Sequence, residues 1–135
     1  MEIKKFLDFL PSNFRHEKNY LIQNNLTDFE KLSKISDSDI NKIQRRSQLC
    51  TLNNLKKIRA IAIFKKEISI SPPEAYLLLH CGIGSIKSLS LSTPHELESK
   101  IGRLERMLRV KTEREITFSL LAKWVKRAKQ SCKSI

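Results

Sequence analysis

Glycine and proline are scarce, with three Gly and four Pro in 135 residues. That is too few turn formers for an all-β chain, and far too few for a collagenous or low-complexity one. Cysteine is thin as well: Cys50, Cys81 and Cys132 lie far apart, are odd in number and form no CxxC pair. Neither a disulfide framework nor a thiolate zinc site is suggested, and a reducing cytoplasm fits best. No window approaches the roughly 20 apolar residues of a membrane span, and the longest such run in the C-terminal half is Ala75 to Leu79. The N-terminal stretch, residues 1–10, puts Asp8 inside its only apolar run and meets Pro11 at once, too broken for the core of a secretory signal. Acidic residues are the remaining shortage: 14 Asp and Glu against 26 Lys and Arg leave a net charge of +12. The expectation is a soluble cytoplasmic protein that avoids membranes and seeks a polyanion.

Hydrophobic residues make up 40% of the chain, enough for a core, and the length suits one compact unit or a fused pair of small ones. Its punctuation is helical. Ser71-Pro72-Pro73-Glu74 places a hydroxyl at an N-cap, proline at the first helical position and a carboxylate at N3. A helix should begin near Pro72. Thr93-Pro94-His95-Glu96 repeats the device, and Ser36-Asp37-Ser38-Asp39 is a version without proline. A short amphipathic helix with Phe6, Phe9 and Leu10 is expected over residues 1–15.

Slid against itself by 57 residues, the chain matches. Leu21, Ile22, Leu26, Phe29, Leu32 and Ile40 fall on Leu78, Leu79, Ile83, Ile86, Leu89 and Leu97. Asp28 falls on Ser85, Ser36 on Thr93 and Asp39 on Glu96, so caps and apolar positions repeat together. The offset then grows to 66, through about nine extra residues around Arg106 to Arg114, and Thr51, Leu52, Leu55, Ile58 and Ala62 meet Thr117, Phe118, Leu121, Trp124 and Ala128. A tandem duplication over residues 16–67 and 72–132 follows as an expectation. Each copy reads as helix, tight turn, two short helices and a longer closing helix. Trp124, with Phe118, Leu121, Val125 and Ala128, forms the apolar stripe of the last of these, while Tyr20 and Tyr76 suit the core boundary.

The turn is the informative part. In the second copy Gly82 can take the left-handed backbone that ends a helix, Ile83 can return to the core and Ser85 can cap the next helix. The first copy, Asn25-Leu26-Thr27-Asp28-Phe29, puts Asn at the left-handed position. The pattern Leu78…Gly82-Ile83-x-Ser85-Ile86-x-x-Leu89 followed by Thr93-Pro94-x-Glu96-Leu97 resembles the helix-hairpin-helix class, including the C-terminal domain of the bacterial RNA polymerase alpha subunit. It is more similar still to the DUF4332 family of tandem helix-hairpin-helix proteins, common in cyanobacteria, whose closing helix carries a Trp and an Ala as Leu121 to Ala128 does. The resemblance implies an all-α fold of two fused helix-hairpin-helix (SAM-like) repeats sharing one core. It also implies binding of DNA without sequence preference, through backbone N–H groups of the hairpin that hold a phosphate. Carried onto this chain, the donors are Gly82, Gly84 and Ser85, with Lys87 close behind. The first hairpin has no glycine and puts Asp28 where a phosphate would sit, so only the second suits an anion.

Charge points the same way. Between residues 103 and 135 ten Lys and Arg face three Glu, more than half of the net charge in the last quarter of the chain. Arg103 and Arg106 share a helical face, as do Lys123, Lys126 and Arg127. Lys42, Arg45, Arg46, Lys56, Lys57, Arg59, Lys65 and Lys66 make a smaller patch in the first copy. Any one basic run is most simply a solvated helix face; all of them together suggest a nucleic-acid backbone, DNA first, bound with steep salt dependence.

His16, His80 and His95 are scattered without ligand spacing, and no nucleophile, phosphate-loop or metal motif occurs. No enzyme, cofactor, metal or small-molecule substrate is expected. The leading expectation is a nonspecific DNA-binding accessory protein, at the nucleoid if so. The alternative is an adaptor that docks on an acidic protein or a nucleic-acid-containing assembly.

Overall fold

In a computed structural model, which describes residues 10–108 and 115–133, the capping residues set the helix starts. A 3₁₀ turn at Ser12–Phe14 leads into α1 (Arg15–Gln23), α2 (Phe29–Lys34), α3 (Asp37–Arg46) and α4 (Leu52–Ile68). Then come α5 (Pro72–His80), α6 (Ile86–Ser90), α7 (Pro94–Leu108) and α8 (Phe118–Lys133). The fold is all-helical, with no strand among the described residues. Of the N-terminal segment, Phe6 and Phe9 lie outside the described residues, Leu10 is buried, and Pro11 stands extended just before the 3₁₀ turn.

Ser71 opens α5 with a full capping box, its Oγ accepting the Glu74 N–H and Glu74 Oε1 accepting the Ser71 N–H at 2.9 Å. Ser36 and Asp39 make the same box at α3, with both bonds at 3.1 Å. Thr93 Oγ1 accepts the Glu96 N–H at the start of α7. Each such cap stabilises its helix by about 1 kcal/mol. At α4 the cap is shared: Thr51 Oγ1 accepts the Asn54 N–H, and the buried Glu17 carboxylate, arriving from α1, accepts the Thr51 N–H.

The two turns close alike. Asn25 (φ 57°) ends α1 and Gly82 (φ 87°) ends α5, both left-handed. The next residue's N–H then returns to the helix, Leu26 to the Leu21 carbonyl at 2.8 Å and Ile83 to the Leu78 carbonyl at 2.9 Å, the bond that satisfies an orphan helix-end carbonyl. Leu26 and Ile83 both pack on the core.

Packing follows the same order in each half. α2 and α3 pack on α4, and α6 and α7 pack on α8. α4 also packs on α5 and α8, so this central helix joins the halves. One apolar cluster runs from Leu10, Phe14 and Leu32 through Ile61 and Leu78 to Leu121, Trp124 and Ala128. A smaller one holds Ile40, Ile43, Cys50 and Leu55. Trp124, Leu121, Val125 and Ala128 are buried, as the stripe requires. Phe118 departs from it: as the first residue of α8 it overhangs the core, 39% exposed, with its ring 4.7 Å from that of His95. No helix among the described residues is long and apolar enough to cross a membrane.

Candidate nucleic-acid interface

Gly82, Gly84, Ser85 and Lys87 are all exposed. A Cβ added at Gly82 or Gly84 would meet nothing within 4 Å, so neither glycine makes room for packing, and Gly82 is required by its positive φ alone. The donor set is narrower than the motif implies. The Gly82 N–H closes the helix end on the Leu79 carbonyl at 3.0 Å, and the Ser85 N–H donates to Ser88 Oγ at 3.2 Å. The second bond is half of a capping box whose other half runs from the Ser88 N–H to Ser85 Oγ. Its signal was Ser85-x-x-Ser88, with a serine in the place usually held by Glu or Gln. Gly84 keeps an N–H with no acceptor among the described residues, and the N–H groups of Ile86 and Lys87, in the first turn of α6, have none within the helix. In the first hairpin Asp28 Oδ1 accepts the Glu30 N–H at 3.0 Å, so a carboxylate already occupies the anion position there.

The cations divide by what holds them. Arg103 and Arg106 are exposed on α7, and Lys123 and Lys126 are exposed on the side of α8 away from Leu121, Trp124, Val125 and Ala128. None of these four, nor Lys87, has a carboxylate within 4.0 Å among the described residues. Arg127 is different. Its Nη1 donates to the Ile68 carbonyl at 3.1 Å, so this guanidinium clasps the C-terminal end of α4. The helical row of Lys123, Lys126 and Arg127 did not reveal this, because Ile68 reaches α8 only through the packing of α4 on it.

In the first half Lys42, Arg45 and Arg46 are exposed on α3. Arg59 is bound by Asp37 at 2.8 Å and donates to the Ile35 carbonyl, while Lys65 lies over the Phe29 ring, 5.1 Å from its centre. His80 adds no charge near neutrality: partial burial lowers its pKa below 6.5, with the Lys57 ammonium adding to the effect, and its ring packs on Tyr76 at 4.6 Å. Burial raises the Cys81 thiol, against a smaller opposing pull from Lys100, so it is no ready thiolate.

Gly84 and Ser85 are brought together with a different set of cations from the one their sequence neighbourhood suggests. With Lys56 and Arg59 of α4 they line an open cavity of about 580 Å³ between the two halves. Arg103, Arg106, Lys123 and Lys126 are not part of it. The sequence placed Lys56 and Arg59 in a basic patch of the first copy, but nothing in their spacing showed that the second hairpin docks beside them.

A family model described as "Domain of unknown function (DUF4332)" matches residues 11–131. No curated protein and no solved structure matches.

Proposed function

The chain belongs to the DUF4332 family, and from its own residues we propose that it binds nucleic-acid backbone, double-stranded DNA first, without sequence preference and without catalysis. One observation carries this reading: Lys87, Arg103, Arg106, Lys123 and Lys126 are exposed and have no carboxylate partner among the described residues. Uncompensated cations on three helices, α6 and α7 each packed on α8, attract phosphates, and each phosphate neutralised releases counterions. We read the halves 16–67 and 72–132 as helix-hairpin-helix repeats, on the support of their matched Asn25 and Gly82 turns and their matched packing order. On this reading the protein works in the cytoplasm, at the nucleoid.

The test is fluorescence anisotropy of a labelled random-sequence duplex with two charge-reversal pairs, Arg103→Glu with Arg106→Glu and Lys123→Glu with Lys126→Glu. Each pair replaces two cations by two anions and should weaken binding by about tenfold or more at low salt. Undiminished binding by both pairs contradicts the proposed surface.

A further inference from the structure

We propose that the cavity between the two halves is a docking site for an acidic linear segment of a partner protein, which inserts one large apolar side chain next to a carboxylate. The inference does not rest on the nucleic-acid reading. It starts from α4, whose Leu55, Ile58, Ile61, Ala62 and Phe64 are buried, yet which leaves Lys56, Arg59, Ala60 and Ile63 on the cavity. These four positions follow the i, i+3, i+4, i+7 spacing of a single helix face. The strip runs between Ile35 of the first half and Ile86 of the second, both half-buried, so its floor is aliphatic. At about 580 Å³ the space falls within the roughly 300–1,000 Å³ typical of sites that hold a ligand.

The charges choose the occupant. The ionisable side chains that line the cavity are Lys56 and Arg59, both cationic. Arg59 already holds one carboxylate, that of Asp37 at 2.8 Å, while Lys56 is exposed and has no ion-pair partner among the described residues. The aromatic residue in the lining, Phe64, is buried to 1%, so a nucleobase would find no ring face to stack on. An apolar floor beside the unpaired Lys56 ammonium instead matches an aliphatic or aromatic side chain with Asp or Glu next to it. Gly84, with its unaccepted N–H, lines the same cavity and offers a donor to the segment's main chain.

The probe is a random dodecapeptide phage library selected on the immobilised full-length chain, after which the enriched peptide is synthesised and labelled. Three variants are compared, each first checked for an unchanged melting transition: exposed Lys56→Glu, half-buried Ile63→Ala, and Lys123→Glu with Lys126→Glu as a control. Enrichment of one large apolar residue next to an acid is expected, with Lys56→Glu weakening the synthesised peptide by about tenfold, Ile63→Ala weakening it by several-fold, and the control leaving it unchanged. The proposal is overturned if no peptide enriches, if the enriched peptides lack acids, or if Lys56→Glu and Ile63→Ala bind them as well as the wild type. It is equally overturned if Lys56→Glu abolishes duplex binding while sparing the peptide, since the cavity rim would then serve nucleic acid.

Discussion

The carboxylate of Glu17 accepts the backbone N–H of Thr51 at 2.8 Å, so an acid on α1 closes the N-terminus of α4 from 34 residues away. Glu17 is 1% exposed and also accepts from Asn54 Nδ2 at 3.3 Å. Its partner at the repeat offset, Glu74, is equally buried and closes the start of its own helix through Ser71. A buried acid thus secures a helix start in each half.

Removing the first of these is costly. Glu17→Ala leaves the Thr51 N–H without its charged acceptor and should destabilise the protein by about 2 kcal/mol, the scale of a hydrogen bond to an ionised group. Urea denaturation measures it, and a loss under about 0.5 kcal/mol contradicts the role.

Alanine should be costly at both left-handed turn residues, whereas glycine should be tolerated at Asn25. At Asn25 (φ 57°), glycine should be neutral or slightly stabilising and alanine should cost about 1 kcal/mol. Gly82→Ala should cost about 1–2 kcal/mol although a Cβ there meets nothing within 4 Å, because the penalty is conformational. Equal stability of Gly82→Ala and wild type in a thermal melt contradicts the assignment.

Arg127 and Lys126 are neighbours with separable roles. Arg127→Ala should lower stability by about 1 kcal/mol, through loss of the bond to the Ile68 carbonyl, and change duplex binding little. Lys126→Ala should do the reverse, within about 0.5 kcal/mol of wild-type stability but with weaker duplex binding. Paired denaturation and anisotropy curves decide it, and a reversed pattern contradicts both assignments.

His80 should titrate below 6.5, because burial and then Lys57 disfavour its cation. The unfolded chain therefore binds more protons than the folded one between pH 6.5 and the lower folded value. Stability contributed by neutral His80 is present above that window and is lost as pH falls through it. An NMR titration of the ring gives the midpoint, and Lys57→Gln should move it up toward 6.5. A wild-type midpoint at or above 6.5 contradicts the account.

Local chemistry was the legible part of this protein. Ser71, Ser36 and Thr93 bond within three residues of themselves, and Gly82 and Asn25 act through their own backbone, so a linear reading finds them. What escaped depends on packing between halves. Arg127 is an exposed cation like Lys126, and only the packing of α4 shows that its guanidinium also holds the Ile68 carbonyl. Gly84 sits beside Lys56 and Arg59 only because the second hairpin lies against the first half's closing helix. Gly82 and Ser85 were named as donors to a phosphate because the motif shows which N–H groups a hairpin presents, but not which of them Leu79 and Ser88 have already taken.

The salt dependence of wild-type binding to a random-sequence duplex, followed by anisotropy from low to moderate salt, tests the central claim most directly. Exposed, unpaired cations predict that log K falls linearly with log salt concentration, with a slope of about −4 to −6 for five or six neutralised phosphates. Absence of binding at low salt, or binding that salt does not weaken, contradicts a backbone-binding function.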